Sequence, residues 1–192
     1  MKSPYCFVVE PAGERYNNVK DVEGKSLIIN TEIYNHEFVN RRARVISCPI
    51  VGDYDILPGD EIIVHHNVFR RWHDVKGEER NSRSYFKDNK YIVSPDQVFL
   101  CKDKSMPGYS FVQPLTSTDD YSNEKEDPSK GVIVYSDGTY KVGEVVGYTP
   151  FSQYEFVIEG KRLYRVLNKF ITIKYEYQGN EETYNPSWAQ GS

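Results

Sequence analysis

No stretch of the 192 residues approaches the ~20 consecutive apolar residues of a membrane helix, and the N-terminus has no apolar signal core. The expectation is a protein that neither spans a membrane nor enters the secretory route. Basic charge is also scarce: 24 Lys and Arg against 28 Asp and Glu leave a net charge of −4, which argues against a nucleic-acid binder and its basic face. There are only three cysteines, Cys6, Cys48 and Cys101, in or beside apolar runs. An odd number so placed suits free thiols in a reducing, cytoplasmic compartment rather than a disulfide framework. The chain has no Gly-rich phosphate loop, no Gly-x-Ser-x-Gly elbow, no Cys-x-x-Cys pair and no His-Glu-x-x-His. Its carboxylates fall mostly in turns and loops, where turn chemistry accounts for them. The expectation is therefore no enzyme, no catalytic residues, no cofactor and no metal. Hydrophobic residues make up 39%, so any core is small and relies on sheet pairing or on partner subunits.

What is present is β-sheet patterning. Leu57-Pro58-Gly59-Asp60 is a Pro-Gly turn, followed by the β-branched run Glu61-Ile62-Ile63-Val64. Residues 85–93 read as two strands around Asp88-Asn89, a hairpin turn pair. Ser94-Pro95-Asp96 breaks the chain, and residues 97–101 form a closing strand. The same order returns further on. Lys141-Val142-Gly143-Glu144 answers the Pro-Gly turn, and Val145-Val146 the first strand. Residues 156–166, with Glu159-Gly160 at the tip, answer the hairpin, and residues 170–175 the closing strand. The lead-ins agree as well, Phe7-Val8-Val9-Glu10-Pro11 with Phe111-Val112-Gln113-Pro114. A duplication with a period of about 85–100 residues indicates tandem domains rather than a solenoid. The first domain is expected over residues 1–104, the second over 105–178, and a loosely held polar tail over 179–192.

Between the first two strands, residues 10–36 read as a mobile polar loop. One apolar island interrupts it, Leu27-Ile28-Ile29 after Gly24. Such an island is either a strand that pairs into the sheet or a hydrophobic plug carried to a partner's apolar groove. The corresponding loop of the second half, residues 115–130, is acidic and holds no such triplet. Arg41, Arg42 and Arg44 read as the solvated face of a strand. An insertion at 65–84 contains His65, His66, His73, Phe69, Trp72 and four arginines. Its histidines lack the spacing of a closed zinc site, so it reads as a long hairpin loop packed through Phe69 and Trp72.

The shared order of these features resembles the GroES co-chaperonin family. The residues that carry the likeness are Phe7-Val8-Val9, the triplet Leu27-Ile28-Ile29, Ala43-Arg44-Val45-Ile46, Pro58-Gly59-Asp60-Glu61-Ile62-Ile63, the Asp88-Asn89 hairpin ending in Tyr91-Ile92-Val93, and Asp96-Gln97-Val98-Phe99-Leu100. Weaker copies are Val142-Gly143-Glu144-Val145-Val146, Glu159-Gly160-Lys161-Arg162-Leu163-Tyr164 and Phe170-Ile171-Thr172-Ile173. The resemblance implies an all-β chain of two tandem, partly open β-barrels and a homo-oligomeric ring assembled through edge strands. It also implies a lid function on a chaperonin ring, with Leu27, Ile28 and Ile29 as the chaperonin-binding residues. ATP hydrolysis would belong to the partner. The tandem arrangement, the short segment 47–56 and the 65–84 insertion depart from the family pattern. They suggest a divergent relative of viral type, acting in the host cytoplasm. The alternative is a virion structural or decoration protein that keeps the tandem barrels without chaperone activity.

Overall fold

The computed structural model describes residues 2–16, 19–22, 25–28, 39–118, 125–176 and 181–191. Among them there is no α-helix, and the chain is all-β. The strands are β1 (Phe7–Pro11), β2 (Val19–Val22), β3 (Lys25–Ile28), β4 (Arg42–Ser47), β5 (Glu61–Val64), β6 (Arg71–His73), β7 (Glu79–Asn81), β8 (Tyr85–Lys87), β9 (Lys90–Val93), β10 (Val98–Cys101), β11 (Lys104–Ser105), β12 (Tyr109–Thr116), β13 (Glu126–Ser136), β14 (Val145–Tyr148), β15 (Gln153–Ile158), β16 (Lys161–Leu167) and β17 (Ile171–Tyr175).

The chain divides into two units, Met1–Lys102 and Asp103–Ser192. The first has the strand order β8-β9-β1-β4-β5-β10, antiparallel throughout. The second has β15-β16-β12-β13-β14-β17, also antiparallel throughout. Strand for strand this is one plan, and the registers coincide. Val9 sits opposite Tyr91 and Val45, as Val112 sits opposite Tyr164 and Ile133. Both β1–β4 and β12–β13 slip by one residue at the same step, between Val8 and Val9 and between Phe111 and Val112. Both closing ladders slip as well, beside Val98 and beside Tyr148. A bulge adds twist and bends its strand, so the two sheets are bent at equivalent points. The end strands of each unit do not pair with one another among the described residues, so neither sheet is closed into a barrel.

The turns repeat in their hydrogen bonds. Asp60 N–H donates to Leu57 O (3.1 Å), Gly59 N–H to Val45 O (2.7 Å) and Val45 N–H to Asp60 O (2.9 Å). In the second unit Glu144 N–H donates to Lys141 O (3.2 Å), Gly143 N–H to Ile133 O (2.8 Å) and Ile133 N–H to Glu144 O (2.9 Å). Gly59 and Gly143 have φ of +97° and +89°, a conformation costly for any side chain. The hairpin tips agree too. Asp88 and Asn89, and Glu159 and Gly160, all have positive φ, the requirement of a type I′ two-residue turn. A single 3-10 turn, Pro95–Gln97 or Asn168–Phe170, precedes each closing strand.

The first core gathers Phe7, Val8, Val9, Ala43, Val45, Ile62, Val64, Tyr91, Val93 and Val98, all essentially without solvent contact. The consecutive apolar run of β1 is buried on both faces, while β4 and β9 pair with its two edges. The second core joins Val112, Ile133, Val146, Tyr148, Tyr164, Val166 and Ile171, with Tyr140 and Phe170 against it.

The division between the units falls after Lys102, and β11 pairs in parallel with β13 of the second unit. Two segments differ from expectation. The tail is not loosely held over residues 181–191. Thr183 bridges to Leu115, Tyr184 N–H donates to Pro114 O, and Ala189 is fully buried. Leu115 lies on a strand edge whose backbone groups need partners, and the tail supplies them. The insertion does carry a small hairpin, β6–β7, and Phe69 is fully buried, but Trp72 is 46% exposed.

Candidate functional site

Pro11 ends β1 and Arg42 begins β4, and the chain between them carries the triplet. The two ends of this excursion are stitched into a neck. Ala12 N–H donates to Arg42 O (3.0 Å), Asn40 N–H donates to Arg15 O (2.9 Å), and Tyr16 bridges Val39. Asn40 is buried, and its amide works both ways. Its Nδ2 donates to Glu14 O (2.8 Å) and Ala12 O (3.3 Å), while its Oδ1 accepts from Arg42 N–H (2.9 Å). Only a side-chain amide offers donors and an acceptor on one short stem, so Asn40 closes both sides of the neck at once. Residues 10–16 are therefore fixed, although their Gly-, Glu- and Arg-rich composition reads as a free loop.

Beyond the neck, β2 and β3 form a two-stranded ladder of their own, outside the main sheet of the unit. Leu27 pairs with Lys20 and Ile28 with Val19. Ile29 lies outside the described residues, as do residues 30–38. The backbone thus places Leu27 and Ile28 on the returning strand of a hairpin that leaves the sheet at the β1–β4 end.

The 65–84 insertion covers the neck. Arg15 donates through Nη2 and Nε to Phe69 O (2.8 and 3.3 Å) and through Nη1 to Asn81 Oδ1 (2.8 Å). Arg71 N–H donates to the Tyr16 hydroxyl (2.8 Å), and the Arg71 guanidinium lies 4.7 Å from the Tyr16 ring centre. Burial pulls the Arg15 pKa below the ordinary arginine value and pushes the Tyr91 phenol beneath it upward.

The second unit has the same neck with other parts. Ser117 N–H donates to Lys125 O (3.0 Å), and Thr116 pairs with Glu126. Residues 119–124, most of the acidic loop, lie outside the described residues. Glu126 accepts from Arg162 Nη1 (2.6 Å) and from the Tyr164 hydroxyl (2.6 Å), and Arg162 Nε reaches Glu155 (2.7 Å). Tyr164 is the register equivalent of Tyr91, and each has an arginine over its ring, Arg162 at 5.0 Å and Arg15 at 5.4 Å.

Elsewhere among the described residues the charged side chains brace turns and pair with one another. Asp60 accepts from Leu57 N–H and pairs with Lys102 (2.7 Å), while Glu144 accepts from Lys141 N–H and pairs with Lys174. A shallow open depression surrounds Glu144, Lys174 and Tyr175. No group of three or more His, Cys, Asp or Glu side chains among the described residues is arranged so that it could hold a metal ion. His65 and His66 stack on each other, and His65 Nδ1 accepts from Asn67 N–H. Arg42 pairs with Glu61 and Arg44 faces solvent. The three thiols are unpaired in disulfides, and burial pushes Cys101 up to about 11. No helix among the described residues is long and apolar enough to cross a membrane.

The residues that sequence reasoning missed are Arg15, Tyr16, Asn40 and Asn81. Their only signal was an Arg-Tyr pair in an otherwise polar stretch, which has no periodicity to read. No protein-family model matches the chain, and no curated protein matches it.

Proposed function

We propose that this chain is a co-chaperonin-like lid protein. It is built from two tandem GroES-like, partly open β-barrels and assembles as a homo-oligomeric ring that caps a chaperonin. It grips that partner through Leu27, Ile28 and Ile29 and catalyses no chemistry itself. The observation that carries the reading is the repeated plan, with the same strand order, ladder registers, bulges and Gly-centred turns in both units. A hairpin bearing Leu27 and Ile28 at the β1–β4 end of the first unit supports the grip. Each subunit's contact is weak because ordering an exposed segment costs conformational entropy. A ring offsets this, since each later contact forms at high effective concentration.

The test is co-elution of the native protein with a purified chaperonin in the presence of adenine nucleotide, with the mass of the assembly measured alongside. Binding should disappear in the triple variant Leu27→Ser, Ile28→Ser, Ile29→Ser while its denaturation midpoint stays within experimental error. Survival of binding in that variant sinks the assignment of the grip. Fixed stoichiometry in purified virus particles, without chaperonin binding, would favour the virion reading instead.

A further inference from the structure

We infer that the 65–84 insertion is a clamp on the neck of the segment that carries the triplet, and that it sets the point and direction of that segment's exit. The purpose rests on the chaperonin reading, whereas the clamp itself rests on geometry.

The clamp has a buried foot and two polar contacts. Val68 and Phe69 are fully buried, and Phe69 meets Tyr91 of β9 edge-on at 4.8 Å. The Ser82 hydroxyl donates to Val68 O and closes the base of the insertion. From this foot, Phe69 O and Asn81 Oδ1 together hold the Arg15 guanidinium, across 54 and 66 residues of chain. On the other side, Arg71 N–H holds the Tyr16 hydroxyl across 55 residues. The Arg71 guanidinium stacks on the Tyr16 ring and is fixed by Glu79 at 3.0 Å. Among the described residues Tyr16 and Val39 are the outermost pair of the neck, so the clamp acts at its outer end.

The second unit makes the case independently. It has no insertion, because residues 149–152 alone join β14 to β15. Its neck is braced by the tail instead. Thr116 N–H donates to Glu182 O (2.8 Å), Thr183 bridges Leu115, and Asn185 ties the tail to Gly160 O and Arg162 N–H. Two unrelated accessory pieces thus brace the corresponding loop roots of one strand plan, the insertion at Arg15 and Tyr16 and the tail at Pro114, Leu115 and Thr116. A fixed root narrows the directions a departing segment samples, which lowers the ordering cost on binding and raises the effective concentration of every loop in a ring.

The test uses the full chain with Arg15→Met and Tyr16→Phe, singly and together, and Arg15→Lys as the conservative control. Amide hydrogen exchange over residues 12–16 and 39–42 reads the neck, and titration against a purified chaperonin with adenine nucleotide reads the purpose. In the double variant, neck exchange should accelerate about tenfold or more, since a charge-assisted contact and a part-buried one are both lost. Exchange in β1, β4 and β9 should stay unchanged, chaperonin affinity should fall about tenfold, and Arg15→Lys should recover part of each effect. Unchanged neck exchange, or acceleration spread evenly through the first unit, overturns the clamp. A faster neck with unaltered chaperonin affinity overturns its purpose. If the unmodified chain fails to bind any chaperonin, the functional reading and the purpose fall together, and the exchange result still decides whether the clamp exists.

Discussion

Alanine at Gly131 and alanine at Gly143 should damage the second unit for different reasons and by different amounts. Gly143 has a φ of +89°, and a methyl group added there meets nothing within 4 Å. The cost is purely conformational, about 1–2 kcal/mol. Gly131 has an ordinary backbone but no room. Its added Cβ would fall inside the radius of the Gln113 carbonyl oxygen and 2.5 Å from Val112 Cγ1. A backbone carbonyl in the β12–β13 ladder cannot swing aside, so the strands must separate, at about 3 kcal/mol or more. The first unit supplies the control, because Ala43 occupies the equivalent register position opposite Pro11, as Gly131 lies opposite Pro114. Ala43→Gly should cost only about 1–2 kcal/mol, from one lost buried methyl and greater backbone entropy. The assay is urea denaturation followed by the fluorescence of Trp188 in a Trp72→Phe background for the two glycine variants, and of Trp72 in a Trp188→Phe background for Ala43→Gly, because each unit holds one tryptophan. If Gly131→Ala stays within about 0.5 kcal/mol of the parent, or costs less than Gly143→Ala, the steric argument is wrong.

Two further outcomes follow from the side-chain geometry. The hydrogen bonds from Lys102 and Lys174 hold the Asp60 and Glu144 carboxyls below their ordinary values of 3.8 and 4.5. A depressed folded-state pKa adds stability that is fully present above the ordinary value and is lost as pH falls through the folded one. Asp60→Asn and Glu144→Gln should therefore be less stable than the parent near neutral pH and converge with it in strong acid; parallel urea midpoints across the acid range would refute this. Asn185→Ala leaves Arg162 N–H and Gly160 O without their partner and should lower the Trp188 transition by about 1–2 kcal/mol, whereas an unchanged midpoint would mean the tail docks by other contacts.

Local chemistry explains which parts of the fold were legible. The Asp88-Asn89 and Glu159-Gly160 tips have few conformational options, so type I′ hairpins follow from residue type. Gly59 and Gly143 announce their turns for the same reason. Runs such as Phe7-Val8-Val9 and Val145-Val146 announce strands, because only burial on both faces rewards them. The neck was illegible because Arg15, Tyr16 and Asn40 bond to residues that are far away in sequence or belong to backbone groups. Such contacts leave no period and no composition signal. The tail misled for a related reason, since its hold is one bridge at Leu115, flanking backbone bonds and the Asn185 amide, none of which depends on hydrophobic periodicity.

Sequence alone determined that this chain pairs strands, where it turns, and that one order of turns and strands occurs twice. These features are set by φ preferences and by side-chain periodicity within a few residues. Only the tertiary structure decided that the sheets stay open, that both are bulged at matching steps, and that an insertion in one unit and a tail in the other seize the two loop necks. Those outcomes depend on which distant backbone groups find one another, and the energy of a hydrogen bond carries no trace of the sequence distance it spans.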